Sequence, residues 1–120
     1  MEICGVPSKR VLEISTRRHL FFDESNQPIL MPNSKGKIRH PNVKSLVQVL
    51  LRSRPRNKSS CHETEADNKK FIDFLERCFE WHPEKRMTPL EALHHEWILE
   101  GLPDDVLEHH LKMFEYHGEP

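Results

Sequence analysis

Nine histidines and three cysteines are the residues of this chain best suited to metal binding or nucleophilic chemistry. Zinc asks for a closed set of Cys and His ligands, or for HExxH on one helix face. Neither pattern occurs. His94 and His95, and again His109 and His110, are adjacent doublets. Neighbours on a helix point to different faces, so each doublet reads as surface histidine and no metal ligand is assigned. Cys4, Cys61 and Cys78 are odd in number and lack CxxC spacing. That argues against a disulfide framework or zinc ribbon and for reduced thiols in a cytosolic or nuclear setting. Cys78 lies on an apolar stripe and reads as a core thiol rather than a nucleophile.

Phosphate chemistry would need clustered glycines. Gly5, Gly36, Gly101 and Gly118 are scattered, and no GxGxxG, Walker A loop or GxSxG is present. No catalytic and no cofactor-binding residue is therefore assigned. Lys35, Lys37, Arg39, Arg52, Arg54, Arg56 and Lys58 form a basic run without interleaved aromatics, which reads as a solvated loop rather than a nucleic-acid surface. The net charge of −1 offers no general attraction to nucleic acid or acidic membranes. No apolar stretch suits a membrane span, and the N-terminus lacks the features of a signal peptide.

The elements that would carry these residues are mostly helical. At 120 residues, 36% hydrophobic and 31% charged, the chain is one domain or part of one, with a thin core. Gly5 and Pro7 read as the end of a helix or, equally, the first residues as a frayed start. A short surface helix is expected within 8–19, carrying Val11, Leu12 and Ile14. Two short apolar runs flank a polar hexapeptide over 20–31 and suggest a small hairpin, with Pro28 and Pro32 restricting its second arm to an edge. A short helix is expected within 43–51. Residues 52–70 hold almost no apolar side chain and read as a flexible loop.

From 71 the periodicity is clearer. Phe71, Phe74, Leu75 and Cys78 fall at i, i+3, i+4 and i+7, the mark of an amphipathic helix over 71–80 with Asp67 or Asn68 as its cap. Thr88, Pro89 and Glu91 make a capping box that predicts a helix over 89–100. Leu90, Leu93 and Trp97 would share one face of it. Gly101 and Pro103 would end it, and a last helix over 103–116 would have Val106, Leu107, His110, Leu111 and Phe114 as its apolar side.

Residues 81–97, WHPEKRMTPLEALHHEW, resemble the last block of eukaryotic protein kinases, W-x-P-x-x-R-x-T-x-x-x-A-L-x-H-x-W. Trp81, Pro83, Arg86, Thr88, Ala92, Leu93, His95 and Trp97 meet every fixed position. FIDFLERCF over 71–79 is similar to the helix that leads into that block. MEICGVP over 1–7, STRRHLFFD over 15–23 and NSKGK over 33–37 are similar to dual-specificity tyrosine-regulated (DYRK) kinases, class II in particular.

The resemblance implies a mainly α fold: an incomplete kinase C-lobe, with its last helices plus the C-lobe insert. Residues 1–99 would be the C-terminal portion of the kinase domain, 21–51 its insert, 52–70 a flexible loop and 100–120 a helical extension. Two departures stand out: a longer and more polar 52–70 loop, and Glu96 in place of the usual proline, which should extend the helix a little.

The family implies ATP-dependent phosphorylation of Ser/Thr in protein substrates, with tyrosine autophosphorylation, using ATP and Mg in the complete kinase. The Gly-rich loop, strand lysine, HRD and DFG segments that this needs are absent from the 120 residues, so the chain is expected to bind no cofactor and to be inactive alone. Its expected partners are the remainder of a kinase domain and, in the parent family, protein substrates. A cytoplasmic or nuclear place is expected. The alternatives are a non-catalytic helical interaction module or a pseudokinase remnant. In the resembled kinases the arginine at the Arg86 position pairs with the glutamate of an Ala-Pro-Glu sequence. This chain has none, so Arg86 is expected to face solvent or to take Glu84 or Glu91 instead.

Overall fold

A computed structural model describes residues 1–52 and 65–117. The helices are α1 (Lys9–Glu13), α2 (Leu46–Arg52), α3 (Glu65–Cys78), α4 (Pro89–Leu93), α5 (Glu96–Glu100) and α6 (Asp104–His117), with a 3-10 turn at Arg18–Leu20. No strand occurs among the described residues, so the mainly α expectation holds. The expected hairpin over 20–31 shrinks to one antiparallel bridge between Phe22 and Pro28. Proline has no N–H to offer a ladder, and the turn between is instead closed by Asp23, whose Oδ1 accepts from the amides of Ser25 and Gln27.

The N-terminal residues form a defined turn rather than a frayed end. The Gly5 amide donates to the Met1 carbonyl at 2.9 Å, and Gly5 has φ +69°. The turn is held against the 42–44 segment. Asn42 N–H donates to the Met1 carbonyl and Lys44 N–H to that of Glu2. The Glu2 carboxylate meets Lys44 at 3.0 Å and Arg39 at 3.5 Å. The Lys44 ammonium, first by hydrogen bond and then by charge, holds this carboxyl below its ordinary value.

Helix α1 is short because its hydrophobic content is short. Ser8 caps it by accepting from Val11 N–H, and Ser15 closes the other end on the Val11 carbonyl. Val11 and Leu12 are, with Phe22, the buried hydrophobic side chains among the described residues. Each contributes about 1.5–3 kcal/mol by leaving water. The expected surface helix thus supplies much of a thin core.

Helix α3 starts earlier than the apolar stripe indicates. Asp67 and Asn68 lie inside it rather than capping it, because Glu, Ala and Lys propagate a helix without apolar periodicity. Of the expected loop over 52–70, Arg52 instead closes α2 and 65–70 belong to α3, while 53–64 lie outside the described residues. The expected 89–100 helix is broken in two. α4 stops at Leu93 with His94 as its C-cap, and His95 starts α5 by accepting the Trp97 amide on its ring. Glu96 therefore opens a new helix instead of lengthening the old one, so Leu90 and Leu93 lie on α4 and Trp97 on α5. α6 follows the expected last helix within a residue at each end.

Candidate functional site: the Trp81–Trp97 block

The block opens where α3 ends. Phe79 N–H reaches back to the Leu75 and Glu76 carbonyls, and the chain then turns through His82, whose carbonyl accepts from the amides of Lys85 and Arg86. Trp81 spans to the other end of the chain: its Nε1–H donates to the Cys4 carbonyl at 3.1 Å. Pro83 stands exposed at the corner.

Arg86 does not take either expected carboxylate. Its Nε donates to the Glu80 carbonyl at 2.8 Å and an outer nitrogen to the Trp81 carbonyl at 3.2 Å. The guanidinium thus satisfies acceptors left over just beyond α3, and its planar fork suits two adjacent carbonyls. Glu84 is drawn instead to Arg10, at 3.8 Å with both side chains exposed. Glu91 is engaged in the capping box. Thr88 Oγ1 accepts from Glu91 N–H at 3.2 Å, and the Glu91 carboxylate accepts from Thr88 N–H at 2.7 Å. The Thr88 backbone bond, then its hydroxyl, keep the Glu91 carboxyl below its ordinary value.

His95 is the hinge of the second half. Its Nδ1 accepts from Trp97 N–H at 3.1 Å, which leaves Nε2 to carry the proton and donate to Asp73 Oδ2 at 2.8 Å. Asp73 also receives Arg77 Nε at 2.9 Å. The His95 bond first, then the Arg77 guanidinium, lower the Asp73 carboxyl. Above this polar contact the rings of Phe71 and Phe74 lie 4.6 and 5.0 Å from Trp97, and Phe74 meets His95 edge-on at 5.3 Å. Lys70 and Glu100 form an ion pair at the far end of the same contact. α5 is thereby fastened to α3 at three levels.

Ala92 is half-buried and Leu93 exposed. The Leu93 carbonyl accepts from His110 Nε2 at 3.0 Å. A polar cleft of about 540 Å³ runs alongside, lined by Asp73, Arg77, Lys85, Glu91, His95 and Glu96 among others. Its charges nearly cancel, which makes it a poor anion or cation cradle.

Two residues escape sequence reasoning. Asp73 sits between the apolar positions of α3 and looks like any solvated carboxylate; its spacing of four from Arg77 was the one available sign of its orientation. His82 is buried at 9% exposure, and among the described residues neither ring nitrogen has a hydrogen-bond partner. The Glu84 carboxylate lies 3.9 Å from Nδ1, beyond hydrogen-bonding range.

The block is a set of caps and clasps, and nothing in it resembles a nucleophile with its base. No family model matches the chain. It is 41% identical over 98 residues to dual specificity tyrosine-phosphorylation-regulated kinase 2 of Drosophila melanogaster, covering 82% of this chain and 12% of that protein. It is 38% identical over 98 residues to dual specificity tyrosine-phosphorylation-regulated kinase 4 of Homo sapiens, covering 82% and 16%. The DYRK-family kinase pom1 of Schizosaccharomyces pombe is 35% identical over 98 residues, covering 82% and 8%. The chain thus spans less than a fifth of the length of each of these relatives. A helical framework organised around Arg86, His95 and Trp97, together with these matches, makes the chain a DYRK kinase-related region.

Proposed function

We propose that this region serves as the C-terminal helical base of a dual-specificity protein kinase domain, supporting the substrate platform without transferring phosphate itself. One observation carries the reading: the chain is spread out and thinly covered. Its radius of gyration is 19.2 Å, against about 14 Å for a compact domain of this length. Phe21, Met31, Val43, Phe79, Leu90 and Met113 are among the large apolar side chains left exposed. A surface of this kind is suited to being covered by the remainder of a kinase domain.

Phosphoryl transfer needs a Gly-rich loop, a phosphate-binding lysine, a catalytic aspartate and a metal-binding aspartate in their motifs, and the 120 residues contain none of those motifs. In a complete kinase those parts would hold ATP and Mg and act on Ser/Thr of protein substrates and on the kinase's own tyrosine. No described helix is long and apolar enough to cross a membrane, and the free thiols Cys4 and Cys78 suit a cytoplasmic or nuclear place.

The test compares the purified chain with the same chain fused behind the preceding part of a DYRK catalytic domain. Alone it should bind a hydrophobic dye strongly and show no ATP turnover on a basic peptide. In the fusion the dye signal should fall and phosphate transfer appear. Turnover that follows the isolated chain through purification overturns the reading. A low dye signal from the isolated chain points to a self-sufficient interaction module instead.

A further inference from the structure

The first part of the basic run, which reads in the sequence as a solvated loop, is folded. Asn33 closes a turn there: its Oδ1 accepts from the amides of Lys35 and Lys37 at 3.0 Å each, and its own N–H donates to the Lys37 carbonyl at 2.9 Å. Beyond the turn, Arg39 and Lys44 reach back to Glu2, one to each carboxylate oxygen, at 3.5 and 3.0 Å. The Lys44 hydrogen bond first, and then the charges of Lys44, Arg39 and Lys37, act on that carboxylate. Three cations therefore converge on a single anion, and their charge exceeds what it neutralises. Lys37 is exposed and forms no ion pair among the described residues. Arg39 keeps 63% of its side chain exposed, and its contact with Glu2 is at the limit of hydrogen-bonding range.

The surroundings narrow what such a surface would take. Residues 1–52 hold nine Lys and Arg against four Asp and Glu, whereas 65–117 hold six against thirteen. The net charge of −1 hides this asymmetry, which draws an acidic partner to the first part and away from the second. Ile38 and Val43, each next to one of the cations in the chain, are 43% and 54% exposed and offer apolar footholds. Residues 31–48 contain no Phe, Trp or Tyr, so the stacking that single-stranded nucleic acid needs is missing.

We propose that Lys37, Arg39 and Lys44, with Ile38 and Val43 beside them, form a docking surface for an acidic protein segment that also carries apolar side chains, and that Glu2 occupies its cations in the free chain. An incoming carboxylate meets Lys37 directly and competes with Glu2 for Arg39, whose planar fork suits a carboxylate. No residue of the Trp81–Trp97 block takes part, so the proposal stands or falls apart from the kinase reading.

The experiment titrates the 120-residue chain into a fluorescein-labelled peptide of alternating glutamates and leucines and reads anisotropy. Saturable binding is expected, and added salt should weaken it. Amide NMR of the unaltered chain should show shifts at Lys37, Ile38 and Val43 and none in α6. Lys37→Ala, which leaves both Glu2 ion pairs in place, should weaken binding about threefold. Lys9→Ala, outside the cluster, should leave it unchanged. Glu2→Gln should tighten binding about threefold, because it frees Arg39 and Lys44 for the peptide. That gain separates a docking surface from a merely structural clasp, which would gain nothing. Absence of saturable binding, shifts confined to other residues, or equal affinity for a peptide with lysines in place of the glutamates would overturn the proposal. So would tighter binding of oligouridylate or phosphatidylserine vesicles, or self-association of the chain that the peptide does not compete away. Unchanged or weaker binding by Glu2→Gln, with the Asn42 and Lys44 amides still protected from exchange, would overturn it too.

Discussion

Nε2 of His95 donates to Oδ2 of Asp73 at 2.8 Å, so the residue that caps α5 is also the one that clasps α3. Two roles on one ring give the first prediction. His95→Phe keeps the edge contact with Phe74 but removes both the cap and the clasp. It should destabilise the chain by about 1–3 kcal/mol. Asp73→Ala, whose carboxylate is about half exposed, should cost only about 0.5–1 kcal/mol after solvent screening. Urea midpoints of the two variants measure the difference; equal losses would mean the His95 cap contributes nothing.

Thr88→Ala removes the N-cap of α4 and should cost about 1 kcal/mol, with Thr88→Ser nearly restoring it. Thermal midpoints followed by far-UV circular dichroism are the check.

The carboxyls of Glu2, Asp73 and Glu91 all titrate below their ordinary values of 4.5, 3.8 and 4.5 when folded. Their lowered values mean that the unfolded chain binds protons first, so stability is full above those ordinary values. It is lost as pH falls through the lower folded values. Denaturation midpoints should hold steady down to about pH 5 as far as these groups are concerned and fall below it. Glu91→Gln and Asp73→Asn should each flatten that fall.

Arg86→Ala should destabilise the chain by about 1 kcal/mol, because an exposed guanidinium loses two hydrogen bonds to carbonyls. Loss of one partner of a buried ion pair would cost about 3–5 kcal/mol. Arg86→Lys should recover little, since a compact ammonium lacks the fork that reaches both carbonyls. Urea denaturation separates the two magnitudes.

Gly5→Ala meets two obstacles. Its φ of +69° disfavours any side chain, and a Cβ there would stand 2.7 Å from Asn42 Oδ1. The left-handed conformation alone costs about 1–2 kcal/mol. Faster amide exchange at Gly5, Asn42 and Lys44 is the expected signature, with α5 unaffected.

Where a residue type has a dedicated local role, the sequence could be read directly. Thr88, Pro89 and Glu91 marked the start of α4, and the spacing of Phe71 and Phe74 marked the face of α3 that receives Trp97. What escaped was structure made by partners without a signature. The break between α4 and α5 uses a histidine ring as a cap, and histidine is not among the usual capping residues. Arg86 binds main-chain oxygens, which every residue possesses. The charged flanks of α1 concealed that Val11 and Leu12 are enclosed.

His82 leaves the corner after α3 in an unusual position with respect to sequence drift. Its ring is enclosed with neither nitrogen hydrogen-bonded among the described residues, at a standing penalty of about 1–3 kcal/mol. An aliphatic or phenyl side chain would fill the same volume without that penalty. The corner therefore has thermal headroom that a single apolar substitution at His82 can release.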